Sequence, residues 1–247
     1  MLDTVVFVDS AVIDYFANEA VMVKIDGKKD TAVASKYHIM GYPTLVMIGT
    51  DGNEVDRLVG YRAPEPFLKT FRDYAAGIGT LADLENKAKT DTSLGLMFEI
   101  ADKYKYRGEM DAARPWYDKV IDAGAPTDSM AGEARMAKAD ILRRDKNYDE
   151  AIREYEMIAK DFDGKIMGWD SQIWIAYIQV DKGDSAAGLQ SFKDFITNNP
   201  KAPEGGVAYC QRRITELETA MAAEVEGAVG DAKLKVDEAA KKATGGN

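Results

Sequence analysis

The chain has 247 residues, of which 46% are hydrophobic and 30% charged, with a net charge of -10. This composition predicts one or two globular domains. The acidic balance argues against nucleic acid, whose binding depends on Lys and Arg, and against anionic membranes. No apolar run reaches the roughly 18 residues of a membrane span, and no basic N-terminal export signal is evident, so we expect a cytoplasmic chain by default.

Residues 1–78 predict an α/β region. Residues 21–25 are a short apolar run that ends at a turn signal, Asp26-Gly27, and they predict a buried parallel strand. Asp30 then stands where the N-cap of a short helix over residues 31–37 is expected.

A hairpin and a helix follow. Residues 44–48 are apolar and rich in β-formers, and Asp51-Gly52 is a strong turn signal. Residues 54–59 predict the second strand, in which apolar side chains face one way and charged side chains the other. Pro64 opens a helix that is expected to run to about Ala76.

This order, with KID at 24–26, YHIMGYPT at 37–44, DG at 51–52 and GY at 60–61, resembles the C-terminal half of the thioredoxin fold. The resemblance implies a cis peptide bond before Pro43. It also implies that the backbone there pairs with an extended substrate peptide. The substrate-binding residues would be Met40, Gly41, Tyr42, Pro43 and Thr44.

The segment that performs the chemistry of this family is not in the sequence. Residues 1–12 resemble the stretch that follows the WCxxCK motif, so the resemblance implies that the central strand and CxxC lie upstream of Met1. We expect residues 5–8 to form the end of a helix and its turn, the alternative being a replacement strand. Dithiol exchange needs two sulfurs, and the one cysteine, Cys210, lies far away, so no catalytic residue is predicted.

Residues 79–222 read as helices separated by Gly, Asn, Asp and Pro breaks. Small residues recur at Ala113, Ala151 and Gly188, with an aromatic residue four positions after each, and this pattern resembles tetratricopeptide (TPR) repeats. Three repeats and a closing helix over residues 205–221 are predicted, an all-α solenoid after the partial α/β domain. Residues 223–247 are expected to form a frayed helix or a disordered tail.

The TPR resemblance implies that first helices of the repeats bind a peptide carboxylate. Candidate residues are Arg135, Lys138 and Gln172, and the simpler alternative is that they are solvated surface residues. The three tryptophans are expected to pack at repeat junctions rather than to bind a partner.

No metal site or cofactor is predicted, because the chain has one His and one Cys and lacks phosphate-binding glycine motifs. Cys210 is interpreted as a small buried hydrophobe.

Two hypotheses for function remain. In the first, the chain is a redox-inactive module that binds protein or peptide partners. In the second, it is a start-truncated thiol–disulfide oxidoreductase whose full-length parent would be periplasmic.

Overall fold

The computed structural model describes the backbone of residues 1–244 and the side chains of residues 1–227. The chain divides into two compact units, unit 1 (Met1–Ala125) and unit 2 (Pro126–Asn247). The domain boundary that the sequence predicts after residue 78 therefore lies within unit 1.

Unit 1 is an α/β unit that begins with a short π-helical turn at Leu2–Val6. Three of its helices start where a side chain caps the first turn, at Asp9, Asp30 and Thr80. The described elements that follow are α1 (Ser10–Asn18), α2 (Thr31–Lys36), β1 (Thr44–Ile48), β2 (Glu54–Val59), α3 (Pro64–Ala75), α4 (Leu81–Lys87), α5 (Leu94–Tyr106) and α6 (Met110–Ala123).

The predicted hairpin is confirmed. β1 and β2 pair in antiparallel fashion with Thr44 opposite Val59, and Gly52 in the turn has a φ of 82°. One extra residue of β2 bulges opposite Met47 and Ile48. Two charged side chains of β2, Asp56 and Arg57, do not reach solvent but are buried in ion pairs.

The prediction of a strand over residues 21–25 is wrong. These residues form no helix or strand, and Val21 and Val23 are 92% and 75% exposed. A strand exists only where a neighbouring strand pairs with it, and the sheet in the described part of the chain consists of β1 and β2. Residues 5–8 behave as expected, since the helical turn ends at Val6 and a turn follows.

The core of unit 1 lies between the N-terminal segment, the hairpin and α3. Phe67 and Phe71 of α3 stack with ring centroids 4.7 Å apart. Leu45 and Met47 of β1 pack against the same cluster, which gives one face of the hairpin its cover. The buried members are Val6, Val12, Tyr15, Leu58, Phe67, Leu68 and Phe71.

Unit 2 is a stack of consecutive helices, which confirms that this part of the chain is all-α. α7 packs against α8, α9 against α8 and α10, and α10 against α11, while α7 also contacts α9 and α9 contacts α11. The helices are α7 (Ser129–Arg144), α8 (Tyr148–Asp161), α9 (Ile166–Asp181), α10 (Ser185–Asn198) and α11 (Glu204–Thr244).

The small residues of the repeat pattern lie at close helix approaches. Ala151 is fully buried between helices. Gly188 on α10 permits a close approach to α9, because a Cβ there would overlap Val180 and stand 2.9 Å from the Ala176 carbonyl oxygen.

The closing helix is longer than the sequence predicts. α11 continues to Thr244 instead of ending near Met221, because Ala, Lys and Glu are strong helix formers and no proline interrupts them. The end of the expected tail, residues 245–247, lies outside the described residues.

Candidate functional site

The loop of residues 40–44 connects α2 to β1 and carries the predicted cis bond, which the structure confirms between Tyr42 and Pro43. The Thr44 hydroxyl donates to the Gly41 carbonyl at 2.8 Å. Tyr42 is 60% exposed, and its ring lies against Gly27, where a Cβ would stand 2.8 Å from Cε1. The loop thus places one exposed aromatic side chain beside the start of β1.

The outer edge of β1 is open. Gly60 N–H donates to the Pro43 carbonyl, and Gly49 N–H donates to the Asn53 carbonyl. The backbone N–H and C=O groups of residues 43, 45, 47 and 49 therefore point towards β2. By the alternation of an antiparallel pair, the backbone groups of Thr44, Val46 and Ile48 point away from β2. Within the described residues, nothing hydrogen-bonds to these groups.

The outer edge of β2 is closed by side chains. The Tyr74 hydroxyl donates to the Arg57 carbonyl at 3.3 Å, and Arg107 donates to the Val55 carbonyl at 3.2 Å. The Arg57 N–H is accepted by the carboxylate of Asp56 at 2.7 Å. The two edges of the hairpin therefore differ: Tyr74 of α3, Arg107 at the end of α5 and Asp56 bond groups of the β2 edge, and the β1 edge is available.

An exposed apolar segment, residues 21–25, lies in the same unit. Met22 and Ile25 are exposed in addition to Val21 and Val23. The polar residue in the run, Lys24, forms a surface ion pair with Asp3 at 2.6 Å. Contiguous exposed apolar residues of this kind mark interaction sites.

A buried ion cluster holds the hairpin to the helices of unit 1. The carboxylate of Asp56, which is fully buried, accepts from Lys103 Nζ at 3.0 Å and from the Leu81 N–H at 2.7 Å. Lys103 also donates to the Tyr74 hydroxyl at 3.1 Å. Burial raises the pKa of Tyr74, an effect larger than the opposing charge of Lys103.

The guanidinium of Arg57 extends this cluster. It pairs with Glu54 at 2.5 Å and donates to the backbone carbonyls of Tyr37 and Tyr106. Sequence reasoning missed the cluster. The available signal was a charged pair, Asp56-Arg57, inside an apolar strand, because such residues are buried only when they are paired. Since Asp56 has no exposed surface, we interpret the cluster as structural.

The predicted partner-binding residues of unit 2 lie on first helices. Arg135 and Lys138 are on α7, and Gln172 is on α9, which contacts α7. The Arg135 side chain is 13% exposed and pairs with Asp161 at 2.6 Å, so it links α7 to α8. Gln172 accepts from Asn199 at 2.8 Å, and Lys138 is half-buried.

A second arginine joins α7 to α9. The Arg143 guanidinium lies 5.2 Å from the ring centroid of Trp174 and 5.8 Å from that of Tyr177. It also pairs with Asp140 at 2.8 Å. Burial acts to raise the pKa of Asp140, but hydrogen bonds from Arg144 and Arg143 outweigh it and hold that pKa below its usual value.

The tryptophans pack as the sequence predicts. Trp174 stacks on Tyr155 with ring centroids 6.2 Å apart, and Trp169 packs against the cluster between α9, α10 and α11. In unit 1, Trp116 packs against Leu81, Leu84 and Ile100.

Cys210 is buried on α11 in the cluster that contains Phe192 and Phe195, as its interpretation as a small hydrophobe requires. Burial raises the pKa of this thiol to about 11.

In the parts of the chain that the structure describes, no group of His, Cys, Asp and Glu has the arrangement of a metal site. No helix among them has both the length and the apolar character of a bilayer span.

No family model matches the sequence, and no curated protein is similar to it. A solved structure that is similar is that of nearly identical TPR-like repeats of a putative kinesin light chain from Podospora anserina. The alignment covers 72% of this chain and 90% of that one, with a TM-score of 0.49 and 13% identity. These values are too low to place the chain in a family.

Proposed function

We propose that the chain is a protein-binding module in which the helix stack of unit 2 holds a segment of a partner protein. The observation that carries this proposal is the pattern of helix contacts in the stack. α7 contacts α9 and α9 contacts α11, although each pair is separated in sequence by another helix. First helices of successive repeats thus form one continuous face, and a face of this kind suits an extended or helical peptide.

Charge on this face supports a partner segment that carries a carboxylate. Lys138 lies on α7, three residues after Arg135 and hence on the same side of the helix. Arg135 is fixed by Asp161 and Gln172 by Asn199, so these two residues are pre-positioned by neighbouring helices. Fixed side chains lose less conformational entropy when a ligand binds.

A peptide selection with a matched control tests the proposal. The probe is a displayed library of peptides with free C-terminal carboxylates, selected on the full chain and then titrated by calorimetry. We expect Lys138→Glu to weaken the selected peptide at least about tenfold, a loss of about 1.4 kcal/mol. Lys160→Glu, which changes an exposed lysine of α8, should leave the affinity unchanged. Equal affinities for both variants, or no selected peptide, would contradict the proposal.

We also propose that residues 1–78 are a partial thioredoxin-like domain, followed by TPR-like repeats to residue 222. The hairpin with its bulge, α3 behind it and the position of residues 40–44 at the start of β1 support this interpretation. In this proposal, Met40, Gly41, Tyr42, Pro43 and Thr44 contact a peptide by their backbone and by the exposed Tyr42 ring.

The chemistry of this chain favours binding over thiol exchange. The chain has one cysteine, and the thiolate is the reactive form of a thiol. With a pKa raised to about 11 by burial, Cys210 is almost entirely protonated at neutral pH. We expect the chain to leave the rate of insulin reduction by dithiothreitol unchanged, and acceleration of that reaction would contradict this part of the proposal.

A further inference from the structure

We propose that two copies of the chain exchange strands, with residues 21–25 of each copy pairing with the open edge of β1 in the other. This inference concerns the outer edge of β1 in unit 1. It is independent of the peptide-binding face proposed for unit 2, and it overlaps the peptide contacts proposed for residues 40–44 at Thr44, where the two would compete. It rests on two features that a single copy leaves unsatisfied: an edge without a strand, and a strand-forming segment without an edge.

The open edge of the hairpin belongs to β1 and not to β2. Backbone groups on the outer side of β2 are bonded by Tyr74, Arg107 and Asp56. The outer groups of Thr44, Val46 and Ile48 have no such cover from the described residues. An exposed row of unpaired N–H and C=O groups is a template for another chain.

The segment has the composition and length of the missing strand. Residues 21–25 are as long as β1, and the run contains β-branched residues at 21, 23 and 25. In a strand, Val21, Val23 and Ile25 point to one face, and Met22 and Lys24 point to the other.

The alternation of the two strands is complementary. Leu45 and Met47 of β1 point towards the apolar core of unit 1. A neighbouring strand with Val21, Val23 and Ile25 on that same face would extend the apolar surface of the hairpin. Lys24, already at the surface, would remain in solvent on the opposite face.

A second copy of the chain provides both a strand for the open edge of β1 and an edge for residues 21–25. Within one copy, residues 21–25 do not pair with β1, and Lys24 is bonded to Asp3. A two-fold exchange pairs both β1 edges with both segments, so the assembly closes as a dimer. A strand from an unrelated protein would cover the edge of β1 but leave residues 21–25 exposed.

The test uses the full chain and two variants that damage opposite halves of the exchange. Val23→Lys places a charge in the segment, at a side chain that is exposed in one copy. Val46→Pro removes an outward N–H of β1, a position where an edge strand tolerates proline. Ile13→Lys is the control, because Ile13 is a 53% exposed residue of α1. Circular dichroism establishes that each variant is folded.

Sedimentation velocity from low micromolar to submillimolar concentration gives the oligomeric state. We expect a dimer whose dissociation constant rises about tenfold or more in Val23→Lys and is unchanged in Ile13→Lys. A mixture of Val23→Lys with Val46→Pro should form a mixed dimer, because one variant retains the edge and the other retains the segment. If Val46→Pro does not fold, amide exchange at Val46 and Ile48 replaces it, and protection should increase with protein concentration.

A monomer at every concentration would overturn the inference. So would a dimer that Val23→Lys does not weaken, since its interface would then lie elsewhere. A monomeric chain whose β1 amides become protected only when an unrelated strand peptide is added would also overturn it, because the edge would then serve another protein.

Discussion

Replacing Asp56 by alanine should destabilise unit 1 far more than a surface change would. The carboxylate is the shared acceptor for Lys103 Nζ, the Leu81 N–H and the Arg57 N–H. Without it, the Lys103 ammonium, which is 10% exposed, retains the Tyr74 hydroxyl as its hydrogen-bond partner among the residues that the structure describes. An unpaired buried charge of this kind costs about 3–5 kcal/mol.

That loss is a large fraction of the 5–15 kcal/mol or so that typically stabilises a domain. With a urea slope of about 2 kcal/mol/M, the unfolding midpoint of unit 1 should fall by about 1.5–2.5 M. Because the chain has two units, bulk fluorescence would mix their transitions. Urea-dependent hydrogen exchange of peptides from α3 and α5 reports on unit 1 alone.

Two further variants separate the ionic contribution from general damage. Asp3→Ala removes one partner of an exposed ion pair and should cost less than about 1 kcal/mol. Adding Lys103→Met to Asp56→Ala should recover part of the stability, because the unpaired charge is gone. A loss in Asp56→Ala no larger than in Asp3→Ala, or a double variant no more stable than Asp56→Ala, would refute the reasoning.

Three other predictions concern unit 2. Gly188→Ala should destabilise unit 2 by about 1–3 kcal/mol in urea unfolding, because the added Cβ overlaps α9. Gly205→Ala on α11, where a Cβ meets open space, should be neutral or slightly stabilising. Similar effects of the two substitutions would contradict this account of the packing. Cys210 should react with Ellman's reagent only after denaturation, since burial raises its pKa to about 11, and fast labelling of the native chain would contradict this. The lowered pKa of Asp140 contributes stability that is fully present above its unfolded pKa of about 3.9 and is lost as the pH falls through the folded value. Melting temperatures should therefore fall less between pH 6 and pH 3 in Asp140→Asn than in the wild type, and equal slopes would contradict the argument.

Local signals in the sequence were sufficient where the structure is local. The hairpin turn at Asp51-Gly52, the cap at Asp30 and the first-turn proline at Pro64 act within a few residues, and each element lies where it was expected. The repeat pattern in unit 2 was equally readable. The most extensive helix contacts there join neighbours in sequence, and small residues mark close approaches.

Long-range partners decide the features that the sequence did not predict. Residues 21–25 have the composition of a strand, but composition does not supply the adjacent strand that a ladder requires. Asp56 is buried because Lys103 and Leu81 lie beside it, and both are distant in the chain. For the tail the sequence leaves both a helix and disorder open, because it has few apolar residues but many strong helix formers, and α11 continues through it to Thr244.

Hydrogen exchange of the full chain, with and without a peptide selected from the carboxylate library, tests most directly whether unit 2 is a protein-binding module. Binding to the face of first helices should slow exchange in α7 and α9 and leave α8 and α10 unchanged. Protection confined to α8 and α10, or in unit 1 alone, would contradict the proposed function.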